Sequence, residues 1–220
     1  MSKEITAGGI TSNVPAYMNE QSSNLGNENV SASDQSVPEI KLMQAMSSEL
    51  KKTHAKYIPG ASLGDITVGT TSFESINVIN LFYKKEYPIF DDNRSLIGNF
   101  DSAAAAEAHI AAEGLNPKVN SIVETATHAL LHVDDNGKVL GPALMRMSST
   151  KLRTSNDWNS AITKTNAPRF ASIWKLTPVE QSNAKGSWYN YHIEHLGYPE
   201  EAVFNEAKSA YESIAPAKAA

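Results

Sequence analysis

No cysteine occurs among the 220 residues. Disulfide scaffolds, thiolate-ligated zinc, iron–sulfur clusters and thiol catalysis are therefore excluded. No run approaches the ~18 apolar residues that a membrane helix needs, and the first residues lack the basic-then-apolar pattern of a signal peptide. The expectation is a soluble, intracellular protein that contacts no membrane. Excess charge of one sign is small: 19 Lys and Arg stand against 24 Asp and Glu, net −5. That total gives no global attraction for nucleic acid, although the position of charge matters more than its sum. The Gly-x-x-x-x-Gly-Lys-Ser/Thr and Gly-x-Gly-x-x-Gly phosphate loops are missing, and no cofactor is expected. The length suits one domain with appendages, with a core large enough to fold without staples.

The charge that is present is unevenly spread. Residues 1–40 carry one basic and five acidic side chains, net −4, whereas residues 146–185 carry seven basic and two acidic, net +5. The basic residues of that block are Arg146, Lys151, Arg153, Lys164, Arg169, Lys175 and Lys185. Trp158, Phe170 and Trp174 are interleaved with them, and Trp188, Tyr189 and Tyr191 follow at once. Cations alternating with flat rings suit single-stranded nucleic acid, because Lys and Arg neutralise phosphates while aromatic rings stack on unpaired bases. The competing reading is that the rings fill a core which the charges solvate.

Residues 1–38 are rich in Ser, Asn, Gly, Gln and Glu with scattered apolar residues; such a segment cannot offset the entropy of ordering and is expected to be disordered. The domain is expected over 39–215, with a flexible end at 216–220. Gly64–Gly69 reads as a strand. Ser75–Tyr87 reads as a longer one, with Ile79, Leu81, Tyr83, Lys85 and Tyr87 on one face and Val78, Asn80, Phe82, Lys84 and Glu86 on the other. Asp101–Glu113 reads as a helix capped by Asp101 or Ser102 and stopped at Gly114. Ile122–Val133 and Lys138–Met147 form a hairpin about Asn136-Gly137. Ser148-Ser-Thr150 should cap a helix running to about Thr163, Arg169–Gln181 and Ser187–Leu196 should be paired strands, and Pro199 should open a last helix. Five or more strands joined by tight turns, with two or three helices, describe a β-rich α+β domain. A partly open antiparallel barrel such as the OB-fold fits the count, as does a sandwich.

Chemistry-bearing patterns are few. Asp91-Asp92 and Asp134-Asp135 are paired carboxylates, which a two-metal nuclease needs, but at turns Asp commonly bonds its own backbone. Glu124, His128 and His132 are spaced four apart, and His192 and His195 follow later. Such histidines can hold zinc; packed core histidines are the plainer reading, and no metal is expected. Lys151 and Arg153 stand at the start of a helix, where cations oppose the dipole. That placement hints that they serve a ligand.

Several stretches resemble proteins of lytic tailed bacteriophages. They are Ile40-Lys-Leu-Met-Gln-Ala-Met-Ser47 with Tyr57-Ile-Pro-Gly-Ala61, Met147–Asn159, Arg169-Phe through Val179–Tyr189, and Ala202–Lys208. The chain is similar to the single-stranded DNA-binding proteins of these phages, which implies an OB-like fold and the coating of unwound DNA during replication or recombination in the infected host's cytoplasm. Such proteins often end in an acidic tail that recruits partners; here the acidic segment is at the other end. The expected partners are single-stranded DNA, phage replication proteins and further copies of the chain. Lys151, Arg153, Arg169 and Lys175 are the expected phosphate ligands, with Lys84 and Lys85 in support. Phe82, Trp188 and Tyr191 are the expected stacking platforms. A phage structural or accessory protein assembling through its β-domain is the first alternative, and a metal-dependent enzyme the second.

Overall fold

A computed structural model describes residues 28–29, 36–184 and 186–215. The expectations for the N-terminal segment and for 216–220 therefore fall almost wholly outside the described residues. In chain order the strands are β1 (Glu39–Leu42), β2 (Ile66–Val68), β3 (Thr71–Phe73), β4 (Ile76–Glu86), β5 (Ile89–Phe90), β6 (Leu96–Gly98), β7 (Ser121–Ile122), β8 (Thr125–Val133), β9 (Val139–Ser148), β10 (Ile173–Asn183) and β11 (Gly186–Gly197). The helices are α1 (Ala103–Ala112), α2 (Lys151–Lys164) and α3 (Glu201–Ile214). None of the described helices is long and apolar enough to cross a membrane.

Eight strands form one sheet in the order β11-β10-β4-β8-β9-β1-β2-β3, and β6-β5-β7 form a small second one. Every pair is antiparallel except β1 with β9, so the chain is a β-rich α+β protein. Central strands must be buried on both faces, and β8 meets this with Ala126, Leu130, Leu131 and Val133 all sealed. One face packs on α2 through Trp158 and Ile162, which meet Val78, Leu130, Met145, Trp174 and Leu176. The other packs on α3, where Ala207 and Phe204 meet Ile79, Leu81, Leu131, Val133 and Phe170. Ile89, Ala106 and Ile110 make a separate small core under α1.

Strict alternation along β4 fails at one point. Asn80 pairs with Leu130 and Phe82 with Ala129, leaving Leu81 as an extra residue. A bulge puts two residues opposite one and resets the faces beyond it. Leu81 and Phe82 therefore both join the α3 cluster, while Tyr83 crosses to the α2 cluster. A second departure concerns Arg169, which lies in a 3-10 turn, Arg169–Ala171, following Pro168. Proline lacks the N–H a ladder needs, and the strand begins only at Ile173. Thr150 does precede α2, but no side chain caps that helix.

The large sheet curls until Gln44, just beyond β1, reaches β11. The Gln44 side-chain amide donates to Tyr189 O at 2.9 Å and accepts from Tyr189 N at 2.9 Å, so it mimics a strand neighbour. Gly64 lets the Tyr189 ring approach. Its φ is +88°, and a Cβ there would lie 2.8 Å from Tyr189 Cε1. Gly64→Ala faces both a disfavoured backbone and a clash, and is expected to cost about 1–3 kcal/mol. A urea melt checks this, and a midpoint equal to wild type would show that Tyr189 is not held.

Candidate functional site

Several of the expected cations have described partners. Lys84 bonds Glu86 at 2.7 Å and Lys85 bonds Glu124 at 2.6 Å. Burial alone would raise the Glu86 carboxyl, but the bonds from Lys84, Thr127 and Asn99 outweigh it and hold it below its ordinary range. Arg146 bonds Glu39 at 3.1 Å. Arg169 is turned inward. Its Nη1 donates to Asn80 Oδ1 at 3.2 Å and its Nη2 to Asn159 Oδ1 at 2.8 Å, and the guanidinium lies 5.6 Å from the Tyr83 ring centre. Phe82 packs under α3 rather than standing free. Tyr191 is only 5% exposed, and burial pushes its hydroxyl pKa up. Half-buried Lys175 sits directly across from Glu194, and Lys185 lies outside the described residues. Of these residues, Lys151, Arg153 and Trp188 border the hollows described below.

A buried polar chain explains Arg169. Arginine only donates, so Asn80 must turn Oδ1 toward it and offer its NH2 to His128 Nδ1, 3.0 Å away. His128 Nδ1 is then an acceptor, and its Nε2–H donates to Ser155 Oγ at 2.8 Å. The imidazole stacks on Trp158 with ring centres 4.9 Å apart. A Ser–His pair at this distance has the geometry of a hydrolase nucleophile and base, but a general base needs a free Nε2 lone pair, and here the proton occupies it. Both residues are 0% exposed. Burial, with Arg169 adding to it, pushes the His128 pKa down to about 3.

That depression carries a sign. The folded protein keeps His128 neutral, whereas the unfolded chain protonates it near pH 6.5. Stability is then complete above that value and is lost as pH falls toward the folded value, at up to ~1.4 kcal/mol per pH unit. Burial lowers the His132 pKa as well, which adds in the same direction. Wild-type protein should therefore lose at least ~1 kcal/mol between pH 7.5 and 5.5 in urea melts; identical midpoints would contradict a neutral, sealed His128.

The remaining patterns take structural roles. His132 packs edge-on against Phe73 at 5.2 Å, and Glu124 is taken by Lys85. No group of three or more metal-ligating side chains converges among the described residues. Asp91 Oδ1 accepts from Ser95 N at 2.7 Å, and Asp134 Oδ1 accepts from Asn136 N and Lys138 N at 2.9 and 2.8 Å. These are turn contacts. Gly60-Ala-Ser-Leu-Gly64 has the spelling of a nucleophile elbow. It lies in the turns before β2 rather than between a strand and a helix, and Ser62 N donates to Asp65 Oδ2 at 2.8 Å.

Accessible chemistry gathers at the first turn of α2, where two hollows share Tyr191. The larger, about 780 Å³, is a groove between α2 and the β10–β11 hairpin, lined by Arg153, Asp157, Trp158, Trp174, Trp188 and Asn190 among others. The smaller, about 180 Å³, is lined by Glu39, Lys41, Glu49, Arg146, Lys151 and Tyr191. Lys41 bonds Glu39 and Glu49 at 3.4 and 3.1 Å, and Arg146 takes the other Glu39 oxygen. Both carboxylates are thus matched. Lys151 lies within 4.0 Å of no described carboxylate, and burial without a counter-charge lowers its pKa. Arg153 projects outward, its side chain 92% exposed and 4.0 Å from Asp157. α2 has no acidic residue in its first turn.

Asn190 fixes the groove wall, a role not singled out from sequence. Its Oδ1 accepts from Thr154 Oγ1 at 3.2 Å and from Tyr191 N at 2.8 Å. Its Nδ2 donates to Gln181 Oε1 at 3.3 Å. The same Gln181 oxygen accepts from Trp188 Nε1 at 3.1 Å, so the half-exposed indole is held at the groove. A lone amide between Tyr189 and Tyr191 in mid-strand was the available signal.

Fold and site together define a β-rich α+β protein whose accessible functional groups surround the start of one helix. The chain belongs to the Pam3 phage gp34-like protein family, whose model matches residues 6–220, and it is a bacteriophage protein. Neither a curated protein nor a solved structure matches it.

Proposed function

We propose that the chain is a non-enzymatic single-stranded DNA-binding protein that takes one nucleotide unit at the start of α2, phosphate in the smaller hollow and base in the groove. The observation that carries this reading is Lys151, a half-buried ammonium without an anion, at the uncapped positive end of a fourteen-residue helix. Desolvating a charge without a partner is costly, and helix N-termini attract phosphate. A phosphate would offset the first and use the second. Beside it, Arg153, exposed and only loosely paired with Asp157, can turn its fork to the next phosphate, and Trp188 offers a ring for stacking worth about 1–3 kcal/mol per base. The open barrel is read as OB-like in the same proposal, with Gln44 closing the curl. Coating of unwound phage DNA in the host cytoplasm, alongside replication proteins, is the role this chemistry suits.

Fluorescence anisotropy with labelled oligo-dT at low salt tests it. Wild type should bind, and Lys151→Met and Trp188→Ala should each weaken binding by about tenfold without lowering the melting temperature. Absence of binding at low salt would end the reading.

A second reading, assembly through the β-domain, is favoured by the outer edge of β11. Tyr189 turns both main-chain groups away from β10, toward Gln44, and alternation makes Tyr191, Ile193 and His195 do the same. Asn190 covers Tyr191 N; no described residue covers Ile193 or His195. Pairing with a second copy about an axis through Ile193 would set each Glu194 opposite the other chain's His192. Light scattering decides this: a dimer whose population rises with concentration supports it, and a monomer at all concentrations removes it.

A further inference from the structure

A further groove, about 660 Å³, is lined by the β8–β9 turn, the end of β11 and the start of α3, and it shares no lining residue with the hollows at α2. Its apolar side chains are of two kinds. Val139, Ile173 and Val203 are half-buried and pack on the α3 core. Leu196 and Tyr198 stand open, 49% and 62% exposed. Large apolar side chains left exposed together around a hollow mark a place where something docks. The Tyr198 ring is held in position: it meets His195 edge-on at 5.3 Å, and His195 lies 4.8 Å from Trp174. The β8–β9 turn is held as well, because Asp134 Oδ1 accepts from Asn136 N and Lys138 N. A groove shaped before binding loses little freedom when it is filled.

Charge selects the occupant. Asp134, Asp135, Glu200 and Glu206 border the groove, against the single cation of Lys138. Neither Glu200 nor Glu206 has a described cation within 4.0 Å. Phosphates are repelled by such a lining, and a purely hydrophilic cation would leave Leu196 and Tyr198 in water. We infer that this groove docks a segment of a partner protein that presents an apolar side chain flanked by Lys or Arg. The apolar side chain covers Leu196 and Tyr198 while the flanking cations face Glu200 and Glu206, and the Tyr198 ring also suits a guanidinium. The docking is independent of the α2 site and does not rest on the reading of that site.

The test selects a yeast-displayed library of short random peptides against the full chain. Binders should carry Lys or Arg around a Leu, Ile, Met or aromatic residue. Added to 15N-labelled protein, the best binder should shift the amide resonances of Gly137, Tyr198 and Val203. Tyr198→Ala and Glu206→Lys, both at exposed positions, should each weaken that binder about fivefold without lowering the melting temperature, and Lys151→Met should leave its affinity unchanged. A selection without binders, binders lacking the cationic–apolar pattern, or shifts confined to other surfaces would overturn the inference. So would equal affinity for a peptide of Lys and Arg spaced by Ser, since the groove would then only collect positive charge.

Discussion

Arg169→Met is expected to cost about 3 kcal/mol of stability, which for a domain of this size lowers the melting temperature by roughly 6–12 °C. The guanidinium supplies charge-assisted bonds to Asn80 and Asn159, and it fixes which way the Asn80 amide faces. Without it the fully buried Asn80 Oδ1 loses its donor, and the amide is free to flip against His128. The same substitution should leave the oligonucleotide affinity of the folded fraction unchanged. A phosphate ligand would behave in the opposite way, losing affinity at little thermal cost. A fall in melting temperature below about 2 °C together with weaker binding would overturn the assignment of Arg169 to the interior.

Trp158→Ala is expected to cost about 3–5 kcal/mol, the range for deleting a large core ring. Trp158 is 2% exposed and joins His128, Trp174 and the β-sheet core. Its removal also opens one face of His128 to water. The imidazole pKa should then climb back toward its ordinary value, and the loss of stability between pH 7.5 and 5.5 should shrink. Urea melts at both pH values read both effects. A full-sized pH dependence in the variant would mean that Trp158 does not seal the histidine. Trp188→Ala is the contrasting case: a half-exposed ring at the groove, expected to change stability by no more than about 1 kcal/mol.

Local signals carried much of this fold. The Asn136-Gly137 turn, the Ser102 cap, the Ala-rich helix before Gly114 and the apolar–aromatic runs of β4, β10 and β11 are written in adjacent residues, and those elements form within a few residues of where the pattern puts them. Trp174 and Leu176 are core, as the alternation of β10 implies. What the sequence could not carry was long-range. The parallel pairing of β1 with β9 joins residues about a hundred positions apart. The bulge at Leu81 has no glycine or proline to announce it, and it switches Phe82 and Tyr83 to opposite faces.

The site was legible in part. Lys84 and Glu86 are two apart on one strand face, so their pairing follows from period two. Pro168 was a sign that Arg169 would fall outside the strand. Lys85 with Glu124 and Arg146 with Glu39, by contrast, depend on which strands become neighbours. Within the cationic block, Arg146 and Arg169 are held by partners remote in sequence or outside the strand pattern. Lys151 stands at the helix start with no described carboxylate beside it, Arg153 faces Asp157 one turn further on, and Trp188 lines the groove.

Under the proposed function, Lys151 takes a phosphate of the bound strand. Each phosphate neutralised on a single strand adds about −0.7 to the slope of log affinity against log salt. Oligo-dT binding should be measured from low to moderate salt for wild type and for Lys151→Met. The variant's slope should be shallower by about 0.7 with an unchanged melting temperature. Equal slopes for the two proteins would contradict it.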